Sequence, residues 1–257
     1  MQLLEKNNFN LSSLKVGFVL PAYNEHENIF ELLKQIDLVF NNKVILIIDD
    51  STNNKTKDKI YLKKDLQYFK RASKLGRGSA VLYGLKTLLK NEEINFFVEM
   101  NTDLADDSNE LPDNIRYFLD NKLDLLVMSR YLKGSKIINW TIKRKLFSFL
   151  ANKFAKSLLK VPVSDYTNGY RIYSRKAATQ VVKNCGKISY DFIALSETLV
   201  ELYIDNLRIG EIKTTFTNRE KGESSVNLKL VLASFFGLIK LFIYKRKKIN
   251  LISKNYI

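Results

Sequence analysis

The sequence predicts an α/β fold, a mostly parallel central sheet flanked by helices and followed by C-terminal amphipathic helices. Three observations predict it. Apolar runs of strand length alternate with segments of helical period through the first half. One run, "KVILIIDDS" at 43–51, is nearly continuous in Val, Ile and Leu, as a strand covered on both faces should be. Polar residues gather at four run ends: Tyr23, Asn24 and Glu25; Asp49 and Asp50; Asn101 and Asp103; Ser129 and Arg130. Open α/β sheets bind ligands beyond the carboxyl ends of their strands.

Taken in order, "KVGFVLPAY" (15–23) is predicted as a strand and 25–40 as a helix. The strand at 43–51 follows, then a helix over 57–70 and a basic loop, "RASKLGRGSA". "AVLYGLKTLLK" has helical spacing, and "INFFVEM" and "LDLLVMSRY" are the third and fourth strands of this half. Right-handed crossovers would join them into one sheet. The second half changes character. Residues 141–160 form a basic amphipathic helix, with Phe147, Leu150, Phe154 and Leu158 on one face and Lys145, Lys153, Lys156 and Lys160 on another arc. "SDYTNGYR" is a polar turn, 190–204 a helix, "RIGEIKTTF" a strand and "NREKGESS" a charged loop. The apolar segment 230–244 ends in "KRKK". Two units are expected, 1–225 as the main domain and 226–257 as an apolar and basic segment.

Composition narrows the function. The 257 residues hold 46 % hydrophobic residues, enough for a sizeable core. Forty-two Lys and Arg against 27 acids give +15, which favours polyanionic partners such as anionic membranes or phosphorylated substrates. A nucleic-acid binder is disfavoured, because the bases lie on amphipathic helices and loops without interleaved aromatics. The single Cys185 excludes an internal disulfide and a zinc cluster. The opening "MQLLEKNNFN" lacks the apolar core of a secretory signal, and no uncharged run is long enough to span a bilayer.

Individual motifs are ambiguous alone. Asn24 or Glu25 could cap a helix or face a ligand. Asp50 could bond a base or ribose, or simply close a turn. "KLGRGSA" could approach a phosphate, but it lacks the Gly-Lys-Ser/Thr ending of a Walker A loop. Asp103, Asp106 and Asp107 could hold a cation or cap a turn. His26, the only histidine, reads as an early-helix residue, and no nucleophile elbow accompanies it.

Seven stretches in order carry a resemblance: "LPAYNEHENI", "IIDDSTNNKT", "KLGRGSA", "MNTDLADD", "MSRYLKG", "SDYTNGYRIYSR" and "REKGESS". Together, from about residue 16 to 225, they resemble the family 2 glycosyltransferases of the GT-A (Rossmann-like) fold, and among these the dolichyl- or polyprenyl-phosphate mannosyl- and glucosyltransferases. The resemblance implies an inverting transfer of a hexose from a GDP- or UDP-sugar to a polyprenyl phosphate. It places Pro21, Ala22, Tyr23, Glu25, Asp50, Lys74 and Gly78 around the nucleotide. It places Asn101 and Asp103 at the metal, Mg²⁺ or Mn²⁺, with Asp103 as last acid of the Asp-x-Asp motif. Arg130 and Arg171 would lie near the transferring phosphates, and Arg219 and Lys221 in a loop over the diphosphate. Arg171, Ser174 and Glu197 would face the acceptor.

A phosphate acceptor is already ionised near neutral pH, so no strong general base is required, whereas an alcohol acceptor would need one. A lipid acceptor also accounts for the basic amphipathic helices, which would lie on the cytoplasmic face of a membrane as a peripheral attachment, the "KRKK" end adding attraction to anionic headgroups. It leaves room for a membrane-anchoring partner protein. The sequence departs from the family pattern at Asn101, where the first acid of Asp-x-Asp is expected, and at Ala105, where some relatives place a metal-binding Gln. Two other readings stay open: transfer to a hydroxyl of a surface glycan or glycolipid, and a catalytically weakened nucleotide-sugar-binding or scaffold protein.

Overall fold

The structure is a computed structural model that describes residues 13–60, 64–188, 193–218 and 228–254. Its element order is β1 (Lys15–Ala22), α1 (Ile29–Val39), β2 (Lys43–Asp49), α2 (Lys55–Asp58), β3 (Leu66–Lys70), α3 (Arg77–Leu88), β4 (Ile94–Glu99), α4 (Leu111–Asp120), β5 (Leu125–Ser129), β6 (Lys136–Ile138), α5 (Ile142–Leu159), β7 (Arg171–Ser174), α6 (Arg175–Asn184), α7 (Ile193–Ile204), β8 (Ile209–Lys213), β9 (Thr215–Thr217) and α8 (Leu228–Lys254). The main sheet runs β3-β2-β1-β4-β7-β5-β8. Strand β7 is antiparallel to both neighbours and the other pairings are parallel. A two-stranded parallel ribbon, β6-β9, stands beside it. The α/β fold with a mostly parallel sheet is therefore the one predicted.

The continuous apolar pattern of β2 has its expected cause, since all its residues are buried. One face of the sheet packs under α1 and α4 through Phe18, Leu20, Phe96 and Val98. The other packs under α3, α6 and α7 through Val19, Ile48, Phe97 and Tyr173. Alternate strand residues feed the two cores. The lysine that opens β2 tolerates burial because its ammonium meets Asp37 at 2.9 Å, Asp65 at 3.2 Å and the Phe40 carbonyl at 2.7 Å.

One expectation fails. Residues 57–70 are not one helix. Among the described residues only the short α2 forms there, and 66–70 is edge strand β3, with alternating burial. The polar turn expected at 164–171 is irregular backbone as far as Tyr170, and the central strand that follows it, Arg171–Ser174, was not anticipated. Helix α5 matches the expected amphipathic helix, but the face it buries is Asn152, Ala155 and Leu159. The apolar segment 230–244 lies within α8, which packs on α5 and α7. Leu238 and Leu241 are buried there, and a Cβ on Gly237 would stand 2.6 Å from Ile193. Among the described residues, no helix is long and apolar enough to cross a membrane.

Candidate active site

The polar strand ends do converge. The order β2-β1-β4 sets the ends of these three strands side by side, with β5 beyond the antiparallel β7. The β1 and β2 ends are tied, as the Asn24 amide donates to Ser51 Oγ at 2.8 Å and the Asp50 amide to the Ala22 carbonyl at 2.9 Å. Asn24 takes a left-handed φ of 60°. Neither Asn24 nor Glu25 caps α1 with its side chain; Glu25 is buried and accepts from Asn28 Nδ2 at 2.9 Å. Thr102 donates to the Pro21 carbonyl at 2.9 Å, binding the β4 end to β1.

Asp50 organises the basic loop. Its carboxylate is gripped by the Arg71 guanidinium, with Nη2 to Oδ2 at 2.5 Å, and accepts the Leu75 and Gly76 amides at 3.1 Å each. Gly76 sits at φ 91°, a conformation that favours glycine, and delivers the chain into α3. Helix α3 starts at Arg77 without a side-chain cap, the kind of N-terminus that suits an anion. Asp50, expected on the base or ribose, thus has its oxygens occupied by the loop. Lys74 and Tyr23 share the rim, the ammonium 3.8 Å from the ring centroid, and Gly78 lies buried in the first turn of α3.

The three acids after β4 divide their work. Asp107 caps the turn at 108–110, accepting the Asn109 amide at 2.9 Å. Asp106 is buried and accepts the Asn101 amide at 2.9 Å through Oδ2, while its Oδ1 has no hydrogen-bond partner. Burial pushes its carboxyl up to about 7 against the pull of the Asn101 amide. Asp103 is 9 % exposed, with Oδ1 3.3 Å from the Ala105 amide. Asn101 does not offer a free oxygen. Its Oδ1 accepts from Arg77 Nη2 at 3.2 Å. Arg77 is also paired with the buried Glu99, which accepts Tyr173 Oη at 2.5 Å.

At the β5 end Arg130 forms a two-pronged pair with Asp165, Nε to Oδ2 at 2.7 Å and Nη2 to Oδ1 at 2.9 Å, and adds Thr167 Oγ1 at 2.7 Å. Burial alone would raise the Asp165 carboxyl, but Arg130 and the surrounding amides hold it below its usual value. Trp140 and Phe216 flank the guanidinium, their centroids 5.5 and 5.3 Å away.

Three expected positions are not brought to this opening. Arg171 is wholly buried, and its guanidinium donates to the carbonyls of Asn168 at 2.9 Å, Leu195 at 2.8 Å and Tyr166 at 3.4 Å. A guanidinium with no exposed surface and donating to three carbonyls is turned away from any phosphate, so Arg171 pins the 164–170 loop to α7. Ser174 caps α6 and bonds Asp124 Oδ1 at 2.9 Å, beside the start of β5 and so at the opposite end of the sheet. Glu197 is buried, and its oxygens accept the amides of Gly186 at 3.1 Å, Lys187 at 3.0 Å and Ile188 at 3.2 Å. Arg219 and Lys221 lie outside the described residues.

Arg77, Glu99, Arg71 and Asp165 were missed as site residues. Arg77 could have been noticed as the second cation within "KLGRGSA", and Asp165 as the acid beside "YTNGYR". Nothing in the sequence pairs them with Asn101 and Arg130.

The donor set was tested for a metal. Among the described residues no group of three or more His, Cys, Asp or Glu side chains could hold one alone. Asp103 supplies a carboxylate that suits a hard cation, which usually keeps one or two protein carboxylates and substrate phosphates. Asn101 faces a guanidinium instead.

The family model described as "Glycosyl transferase family 2" matches residues 18–182. A dolichol-phosphate mannosyltransferase of Pyrococcus furiosus is 28 % identical over 85 % of this chain and 61 % of its own length. A polyprenol monophosphomannose synthase of Mycolicibacterium smegmatis is 29 % identical over 81 % of this chain and 80 % of its own. Crystal structures of glucosyl-3-phosphoglycerate synthase of Mycobacterium tuberculosis share the fold. One has a TM-score of 0.63 at 15 % identity over 91 % of this chain and 81 % of that one. Another, in complex with Mn²⁺, uridine-diphosphate-glucose and phosphoglyceric acid, has a TM-score of 0.62 at 15 % identity over 90 % and 79 %.

Proposed function

Since the chain belongs to glycosyl transferase family 2, we propose that it transfers a hexose from a GDP- or UDP-sugar to a polyprenyl phosphate, with inversion. One observation carries this reading beyond the family: the strand-end cluster built around Asp50, Arg77, Asn101, Asp103 and Arg130 shares its chain with an exposed apolar and basic helical face. On α5, Ile142, Leu146, Phe147, Phe149, Leu150 and Phe154 are exposed. On α8, Phe235, Phe236, Ile239 and Ile243 are exposed, and Phe154 stacks on Phe235 with centroids 5.3 Å apart. Lys143, Lys145, Lys153, Lys156, Lys160 and Lys240 are also exposed on these helices. Large apolar side chains left in water beside lysines suit an anionic lipid surface. The segment 226–257 then acts as a membrane-facing cover docked on a catalytic unit of residues 1–225, peripherally, on the cytoplasmic face.

The chemistry follows from the groups present. An acceptor phosphate oxygen attacks the anomeric carbon as its bond to the donor β-phosphate oxygen breaks. The new C–O bond forms on the opposite face, and the nucleoside diphosphate leaves with the electron pair. No proton has to be removed first, so the step needs no general base. The α3 N-terminus and Lys74 face the leaving charge. Asp50 and Arg71 fix the loop that carries them. A divalent cation, Mg²⁺ or Mn²⁺, held by Asp103 together with the diphosphate, would neutralise that charge when bound.

The test is a panel of labelled nucleotide sugars offered to the purified chain with undecaprenyl or dolichyl phosphate in detergent. A lipid-linked product with one donor is expected. Nucleotide-sugar hydrolysis or binding with no lipid product would favour a hydroxyl acceptor or a binding protein.

A further inference from the structure

The amide of Asn101 and the guanidinium of Arg77 form one unit. Three groups hold Arg77 in place. Its Nη1 meets Glu99, and its Nη2 donates to Asn101 Oδ1 at 3.2 Å and to the Gly169 carbonyl at 3.4 Å. The guanidinium lies against Gly169 so closely that a Cβ there would stand 1.9 Å from Nη2 and 2.4 Å from Cζ. Asn101 is fixed from its other end, its backbone N–H donating to Asp106 Oδ2 at 2.9 Å. The position is therefore built to hold a cation against the Asn101 oxygen, and that cation is a side chain.

We propose that Arg77 occupies the cation position beside Asn101, so that Asn101 anchors the guanidinium and Asp103 alone ligates a divalent ion, which enters only with the nucleotide diphosphate. The proposal deepens the sugar-nucleotide reading and rests on it for the second half of that statement. A divalent ion bound to Asn101 Oδ1 would stand within contact range of a fixed positive charge in a partly buried site, where like charges are weakly screened. An acid at position 101 would not restore the metal site, because it would pair with Arg77 first. An amide keeps the hydrogen bond without drawing the guanidinium away from Glu99.

The test titrates Mn²⁺ into the full chain by electron paramagnetic resonance, first without nucleotide. Four proteins are compared: wild type, Asn101→Asp, Arg77→Leu with Glu99→Gln, and all three changes together. The Glu99→Gln change avoids an unpaired buried carboxylate when Arg77 is removed. Wild type and Asn101→Asp are expected to bind Mn²⁺ weakly and alike. The triple variant should bind it about tenfold or more tighter than Asn101→Asp, the size of coupling found between contacting groups. If Asn101→Asp alone gains as much as the triple variant, Arg77 does not hold the position and the proposal fails. Should the triple variant not fold by its melting curve, Gly169→Ala with Asn101→Asp decides: its Cβ displaces the guanidinium without removing its charge, and the same gain over Asn101→Asp is expected. A second titration adds GDP or UDP. Uptake of Mn²⁺ by wild type only with nucleotide supports entry with the diphosphate. If neither nucleotide binds with or without Mn²⁺, the sugar-nucleotide reading falls, while the nucleotide-free arms still decide the role of Arg77.

Discussion

The strand-end cluster and the α5–α8 face both carry many bases, yet they use them in opposite ways. At the strand ends the cations are arginines turned inward. Arg71, Arg77 and Arg130 each meet a buried carboxylate, and Arg171 meets carbonyls. On the helical face they are mostly lysines in water beside exposed Phe, Leu and Ile. Guanidinium forks suit fixed pairing, whereas ammonium groups on flexible stems suit a surface that adapts. The +15 of the chain is therefore two quantities, one that positions loops and one that faces outward.

The helical face itself contains the same division on a small scale. In "KRKK", Lys245 is buried and donates to the Leu159 carbonyl, and Lys248 meets Glu201 at 2.5 Å. Burial lowers the Lys245 ammonium below its usual value. Arg246 and Lys247 are the two exposed members. Only half of that run can serve a membrane, contrary to the expectation that all four do.

The largest effect should come from the strand-end side. Asp165→Asn breaks the pair with Arg130 and leaves a buried cation uncompensated, so a loss of about 3–5 kcal/mol is expected in urea denaturation. The pH dependence has a definite sign. The folded-state pKa of Asp165 is depressed, so its stabilisation is present above about pH 4, the unfolded value, and is lost as pH falls through the folded value. Asp165→Asn should flatten stability against pH in that acid window and leave the neutral range parallel to wild type.

Next in size, Asp103→Ala should lower transfer more than about a hundredfold, since even outer partners of a metal cost 10–100-fold. Its melting temperature should stay near that of wild type, as expected of a carboxylate that serves the metal rather than the fold. A parallel loss of folding would mean that Asp103 belongs with the structural acids.

How far the sequence disclosed these regions depends on burial. Strand β2 was legible because both faces need apolar residues. Strand β3 was not, because this short edge strand with alternating exposure, Leu66 to Lys70, follows the lysine-rich stretch 55–64 with no Gly or Pro to mark a break. Strand β7 is only four residues long and runs into α6 at once, so its length carried no signal. In the site, Asp103, Lys74 and Arg130 were readable from motifs that end strands. Arg77 on Asn101 and Asp165 on Arg130 join residues 24 and 35 positions apart, and such pairs are created by the sheet order rather than by local spacing. Arg171 was misplaced for the same reason. Its motif is visible, but whether a strand arginine points to the cleft or to carbonyls is decided by the loop and α7 that close over it.

On the other side of the comparison, Phe147→Ser with Leu150→Ser should weaken binding to vesicles of mixed neutral and anionic lipid by about tenfold or more, from the apolar area removed. Thermal stability should not fall, as both side chains are about half exposed in the structure. The smallest effect separates two neighbours. Lys247→Gln should weaken vesicle binding by about 1 kcal/mol at low salt and less at high salt. Lys245→Gln should instead lower stability and leave vesicle binding close to wild type. Equal effects of the two on vesicles would erase the distinction between inward and outward bases.

The most direct measurement is transfer itself. Purified chain, labelled GDP- and UDP-hexoses, polyprenyl phosphate and Mn²⁺ are incubated together, and the organic phase is counted with Asp103→Ala as the paired control. The account predicts a labelled lipid phosphate sugar from one donor with wild type and nearly none with Asp103→Ala. Absence of lipid-linked label with every donor, from a chain that is folded and binds the nucleotide, would contradict it.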